Sequence, residues 1–63
     1  MDELNTKPNV ANLDDIYQKL IDAHAGLTDA ESMALNSRLI LLLINHIGDG
    51  KAIAEAISAA KGK

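Results

Sequence analysis

The chain has 63 residues, nine acidic and six basic side chains, a net charge of −3 and no cysteine. A chain of this length forms one domain at most, is only marginally stable alone and has no disulfide or thiolate metal site. The acidic balance argues against nucleic acid as a partner, and the longest apolar run, Leu39–Ile44, has six residues where a membrane span needs about 20.

The composition favours helices, because the apolar residues are mainly alanine, leucine and isoleucine and the one aromatic residue is Tyr17. Residues 1–11 show no helical period and contain Pro8, so we predict an extended arm whose Leu4 and Val10 dock on the core. A frayed tail is the alternative for the first five residues.

The sequence predicts three helices after the arm. Helix one begins after Asn12 as N-cap and covers about 13–25, with Gly26 beyond its end. Helix two covers 29–47, since Thr28 and Glu31 have the spacing of a capping box. Helix three is capped by Asp49 and covers 50–60, leaving 61–63 as a tail. The short connection between helices one and two predicts an antiparallel hairpin, and the fold class is all-α.

Helix two has more apolar surface than one neighbour can cover. At 100° per residue its apolar side chains fill two arcs that together span about 200°, twice what a one-sided surface helix needs. We expect helix one to cover the first arc and helix three part of the second, while Leu41 lies outside both. The first arc consists of Leu35, Leu39, Leu42 and Leu43, and the second of Met33, Ile40, Ile44 and Ile47.

The apolar surplus predicts a second chain against helix two, because monomers rarely expose so large a patch. We predict a homodimer in which two helical hairpins form a four-helix bundle. An obligate complex with another protein and a compact monomer are the alternatives. The predicted interface residues are Met33, Leu35, Leu39, Ile40, Leu43, Ile44 and Ile47.

The two histidines are candidates for a polar site. His24 lies on the apolar face of helix one, where it is a ligand, a pH-sensitive group or a hairpin-corner side chain bonded to the backbone of helix two. His46 precedes Gly48 and fits a cation at a helix C-terminus. Helix geometry places the two roughly 25 Å apart within one chain, so a shared metal requires an antiparallel dimer, with oxygen ligands from Asp22 or Asp49.

A polar stripe on helix two is the other candidate site, formed by Arg38, Asn45 and Asp49. It suits a carboxylate or a partner's backbone, or else it is a solvated stripe that sets helix register. The sequence 48–51 lacks the spacing of a phosphate loop, and helix three has no arginine, asparagine or glutamine to read bases. No nucleophile–base pair or carboxylate dyad is present, so we expect no catalytic activity, no cofactor and no resident metal.

Four motifs carry a resemblance across nearly the whole chain: Leu4-Asn5-Thr6 with Pro8-Asn9, residues 22–27, residues 35–39 and residues 45–49. Together they resemble a bacterial family of roughly 60-residue helical proteins of unknown function, often encoded beside FAD-dependent aromatic hydroxylases. Ile44 departs from the smaller residue expected there, which affects how closely helices pack. The resemblance implies no catalytic residue.

Two functions remain open at this stage. The first is an accessory or stabilising partner of a larger catabolic enzyme such as an FAD-dependent hydroxylase, located in the cytoplasm, where a chain without cysteine is compatible with the reducing conditions. The second is a small-ligand or metal-binding module formed across a dimer by His24, His46 and the stripe of Arg38, Asn45 and Asp49.

Overall fold

The computed structural model describes residues 4–62, and within them it contains three helices and no strand. They are α1 (Leu13–His24), α2 (Asp29–Ile47) and α3 (Gly50–Ala60), so the predicted all-α class is confirmed. Helix α1 ends one residue before the predicted boundary because Ala25 has an extended backbone, with φ −62° and ψ 129°. Predictions that concern residues 1–3 of the arm and Lys63 lie outside the described residues.

The start of α2 is fixed by a complete capping box. The Thr28 hydroxyl accepts a hydrogen bond of 3.2 Å from the Glu31 amide, and the Thr28 amide donates one of 2.9 Å to the Glu31 carboxylate. Asp49 caps α3 in a similar way, because its carboxylate accepts hydrogen bonds from the amides of Lys51 and Ala52. These bonds satisfy amides that have no partner inside the helix.

The connection from α1 to α2 turns within residues 25–28. Gly26 has φ +78°, a left-handed conformation that glycine adopts without a steric penalty. The Leu27 amide donates to the His24 carbonyl at 3.2 Å and closes the turn. At the other end of α1, Asn12 occupies the N-cap position but its side chain accepts no capping hydrogen bond.

The N-terminal arm contacts the last helix. The Leu4 amide donates a hydrogen bond of 2.8 Å to the carboxylate of Glu55 in α3, and Leu4 is half-buried. Val10 stays exposed, so only the first of the two predicted docking residues packs against the rest of the chain.

The three helices do not enclose a core. Among residues 4–62 the only buried residue is Ala52, which is 5% exposed, and no two helices pack along an extended face. The accessible surface is 5551 Å², whereas a compact chain of 6.7 kDa has about 3,900 Å². The radius of gyration is 13.3 Å, against about 11 Å for a compact domain of this length.

This open arrangement corrects one prediction about α2. Helix α1 was expected to cover the arc that contains Leu35, Leu39, Leu42 and Leu43. In the structure Leu35 and Leu39 are half-buried, while Leu42 and Leu43 are 69% and 50% exposed. A helical wheel gives the direction of each side chain but not the distance to the neighbouring helix, and here the helices make few contacts with each other.

Candidate functional site

The most extensive candidate site is the apolar surface of α2. The seven predicted interface residues divide into two groups, since Leu35, Leu39 and Ile44 are half-buried within the chain. The other four project outward: Met33 is 69% exposed, Ile40 55%, Leu43 50% and Ile47 54%. The outward group is the part of the predicted interface that a second molecule can reach.

These four residues and Asn36 form a continuous ridge, which we call the α2 seam: Met33, Asn36, Ile40, Leu43 and Ile47. The steps between them alternate between three and four residues, the a and d spacing of a coiled coil. At 100° per residue they occupy an arc of about 80°. The α2 seam carries no charged side chain, so its geometry and chemistry fit another helix.

A second exposed surface lies on the opposite side of α2, which we call the Arg38 face. Arg38, Leu41, Leu42 and Asn45 line a shallow open depression there, about 170° around the helix from the α2 seam. Leu41 and Leu42 are as exposed as the seam residues, and Arg38 has no hydrogen-bond or ion-pair partner within residues 4–62. The arrangement can receive an apolar group together with a carboxylate.

The predicted polar stripe is therefore shorter than expected. Asp49 is the N-cap of α3. The amide of Ala52, and to a smaller extent that of Lys51, holds the pKa of its carboxyl below the ordinary value, while partial desolvation opposes the shift. Arg38 and Asn45 remain together on the Arg38 face. On the helical wheel Leu41 falls outside both apolar arcs, and this position is the signal in the sequence for the Arg38 face.

His24 links α1 to α2 near the turn of the hairpin. Its Nδ1 lies 2.7 Å from the Leu20 carbonyl oxygen and its Nε2 lies 2.8 Å from Oδ1 of Asn36. Both partners are hydrogen-bond acceptors, and a neutral imidazole has only one N–H to donate. The Leu20 carbonyl, followed by Asn36, accordingly raises the pKa of His24, and partial desolvation opposes the shift.

The bond to Asn36 also locates His24 relative to His46. The sequence allowed a hydrogen bond from His24 to the backbone of helix two, but the structure uses the Asn36 side chain. His46 lies ten residues further along α2, roughly 15 Å away along the helix axis. This separation is shorter than the expected 25 Å, but it still keeps the two imidazoles apart.

The speculative polar residues do not form one cluster. His24 is bonded at the hairpin turn, His46 lies in the last turn of α2, Asp49 caps α3, and Arg38 and Asn45 share an open face. Within residues 4–62 no three histidine, aspartate or glutamate side chains are arranged to hold a metal ion. No helix in the same range has the length and apolar character needed to cross a membrane.

Asn36 is the residue that the sequence analysis did not select. It lies between Leu35 and Ser37, and a helical wheel places it at the edge of an apolar arc with no indication of a partner. The alternating spacing from Met33 to Ile47 was a readable signal for its place in the seam. The bond to His24 depends on the positions of two helices and could not be read from spacing.

Comparison with known proteins identifies a family. The family described as "Protein of unknown function (DUF2783)" matches residues 4–62. No curated protein and no solved structure matches the chain. The match covers nearly the whole chain and agrees with the resemblance to small helical proteins of unknown function. The chain belongs to this family.

Proposed function

We propose that the chain is a non-catalytic helical interaction protein that self-associates and acts as an accessory partner of a larger enzyme. The observation that carries the proposal is the set of large aliphatic side chains exposed on both sides of α2. Apolar surface of this extent on a small chain is typical of a subunit rather than of an independent monomer.

The amount of exposed surface supports self-association. The chain exposes roughly 1,600 Å² more than a compact monomer of its mass. If each of two copies buries that excess, the total is about 3,200 Å², within the range of about 2,000–5,000 Å² for obligate dimers. The single-chain fold therefore has enough unsatisfied surface for a permanent interface.

The Arg38 face supports a second, different partner. A positive charge flanked by Leu41 and Leu42 fits a protein surface that presents a carboxylate beside aliphatic groups. For the class of partner we propose a cytoplasmic FAD-dependent hydroxylase or a related catabolic enzyme, on the basis of the resemblance described above. In this proposal the accessory chain stabilises the enzyme and contributes no catalytic group.

Self-association is tested by size-exclusion chromatography with light scattering from micromolar to millimolar chain concentrations. The expected mass is twice that of the chain. In a dimer the midpoint of thermal unfolding also rises with concentration. A well-folded monomer across the range, with a midpoint independent of concentration, would contradict the proposal.

The enzyme partner is tested by co-purification from the native host, with bound proteins identified by mass spectrometry. The wild-type chain is compared with Arg38→Glu, which reverses the charge without shortening the apolar part of the side chain greatly. We expect a flavoprotein that binds wild type and is lost with Arg38→Glu. Equal recovery of the same proteins by both chains would exclude the Arg38 face as the contact.

A further inference from the structure

The geometry points to a specific partner for the α2 seam: we propose that it packs against the α2 seam of a second copy, with the two α2 helices antiparallel. This inference rests on the proposed self-association and adds to it the contact surface and the direction of the helices. The α2 seam runs over 15 residues, which is about 21 Å of helix.

A second copy fits the seam because the seam is complementary to itself. It presents aliphatic side chains at a and d positions and no charge, so two copies can interdigitate without placing like charges together. The Arg38 face cannot pair with itself in this way, because two copies would bring arginines to the same interface. Charge therefore assigns the α2 seam to a second copy and leaves the Arg38 face to a different protein.

Asn36 does not prevent the seam from being covered. A polar group costs free energy when it is buried without a hydrogen-bond partner, but Oδ1 of Asn36 already lies 2.8 Å from Nε2 of His24 in its own chain. The pair can therefore enter an interface with this bond made. A polar residue at one seam position also disfavours registers that would place it against an aliphatic layer.

The charges at the ends of α2 select the antiparallel arrangement. Asp29 and Glu31 lie in its first turn, and Asp49 and Lys51, whose formal charges cancel, follow its last. A parallel pair would place the four first-turn carboxylates of two chains at the same end, whereas an antiparallel pair divides them between the two ends. The helix dipoles of antiparallel neighbours also oppose each other, which adds to the preference.

The contact surface is tested with Ile40→Asp and its matched control Leu41→Asp. These residues are neighbours on one helix, with 55% and 65% of their surface exposed, so neither aspartate is buried within the chain. We expect Ile40→Asp to weaken the dimer at least a hundredfold and Leu41→Asp to leave it unchanged. If wild type dimerises and both variants behave alike, the seam assignment is wrong and self-association stands; a monomeric wild type contradicts both.

The helix direction is tested on the intact dimer with a spin label, since the chain has no cysteine of its own. Ala30→Cys places the label on an exposed residue in the first turn of α2. An antiparallel pair centred near Ile40 separates the two labels by about 30 Å along the axis. A distance below about 20 Å would mean parallel helices and would overturn the inference, as would the absence of any dipolar coupling.

Discussion

Ile40→Ala tests the energetic contribution of the α2 seam at its centre. The substitution removes three carbon groups, each contributing about 0.8 kcal/mol when fully buried. Only the 55% of Ile40 that the chain leaves exposed can be covered by a second copy, which gives about 1.3 kcal/mol per chain and about 2.6 kcal/mol per dimer. At about 1.4 kcal/mol per factor of ten, the dissociation constant should rise about 70-fold.

The measurement is sedimentation equilibrium of wild type, Ile40→Ala and Leu41→Ala over a dilution series. Alanine has a higher helix propensity than isoleucine, so loss of helicity should not account for the weaker dimer, and circular dichroism at each concentration checks this. Leu41→Ala removes as many carbon groups from the Arg38 face, outside the α2 seam, and should change the constant less than twofold. The reasoning is refuted if Leu41→Ala weakens the dimer as much as Ile40→Ala does.

Three further predictions concern the helix ends and the hairpin turn, each measured by thermal unfolding at fixed chain concentration. Thr28→Ala removes the capping hydroxyl and should cost about 1 kcal/mol, while Thr28→Ser should retain most of the stability; equal losses would contradict the capping role. Gly48→Ala should destabilise by about 1–2 kcal/mol because φ is +67°, whereas Gly50→Ala, with open space and an ordinary φ, should be neutral or stabilising. The backbone carbonyl one turn earlier and Asn36 hold the pKa of His24 above its ordinary value, so its stabilisation should be complete below the unfolded pKa of about 6.5 and be lost as pH rises through the raised pKa. The difference in melting temperature between wild type and His24→Ala should therefore shrink from pH 5.5 to pH 8.5, and a constant difference would mean that protonation is not involved.

The sequence predicted the helices well because their boundaries are set by local chemistry. Thr28 and Glu31 are three residues apart, and Asp49 precedes the helix that it caps. Gly48 supplies the left-handed backbone that ends α2, and Gly26 supplies the left-handed residue of the turn after α1. Each of these signals involves residues within one turn of each other, so no knowledge of the tertiary arrangement was needed.

The sequence could not predict how the helices face one another. The position of Leu42 on the wheel was correct, but its exposure depends on the angle between α1 and α2, which no single helix determines. The bond between His24 and Asn36 joins residues 12 apart and requires both rotamers and the turn geometry. The sequence predicted the polar part of the Arg38 face, Arg38 and Asn45, but not its apolar part. Leu41 lies outside both apolar arcs of the wheel and was therefore assigned to no surface.

The three helices gain little stability from one another within the single chain. Helices of 12, 19 and 11 residues are marginal in isolation, since nucleation is costly and packing supplies most helix stability in proteins. The hydrogen bonds that join separate elements, His24 with Asn36 and Leu4 with Glu55, contribute little net stability, because water competes for the same groups in the unfolded chain. With Ala52 as the one buried residue among those described, such bonds can orient the helices but cannot replace a core. In the proposed dimer the missing apolar burial comes from the surface that covers α2, which would make folding of this chain and its association parts of one equilibrium.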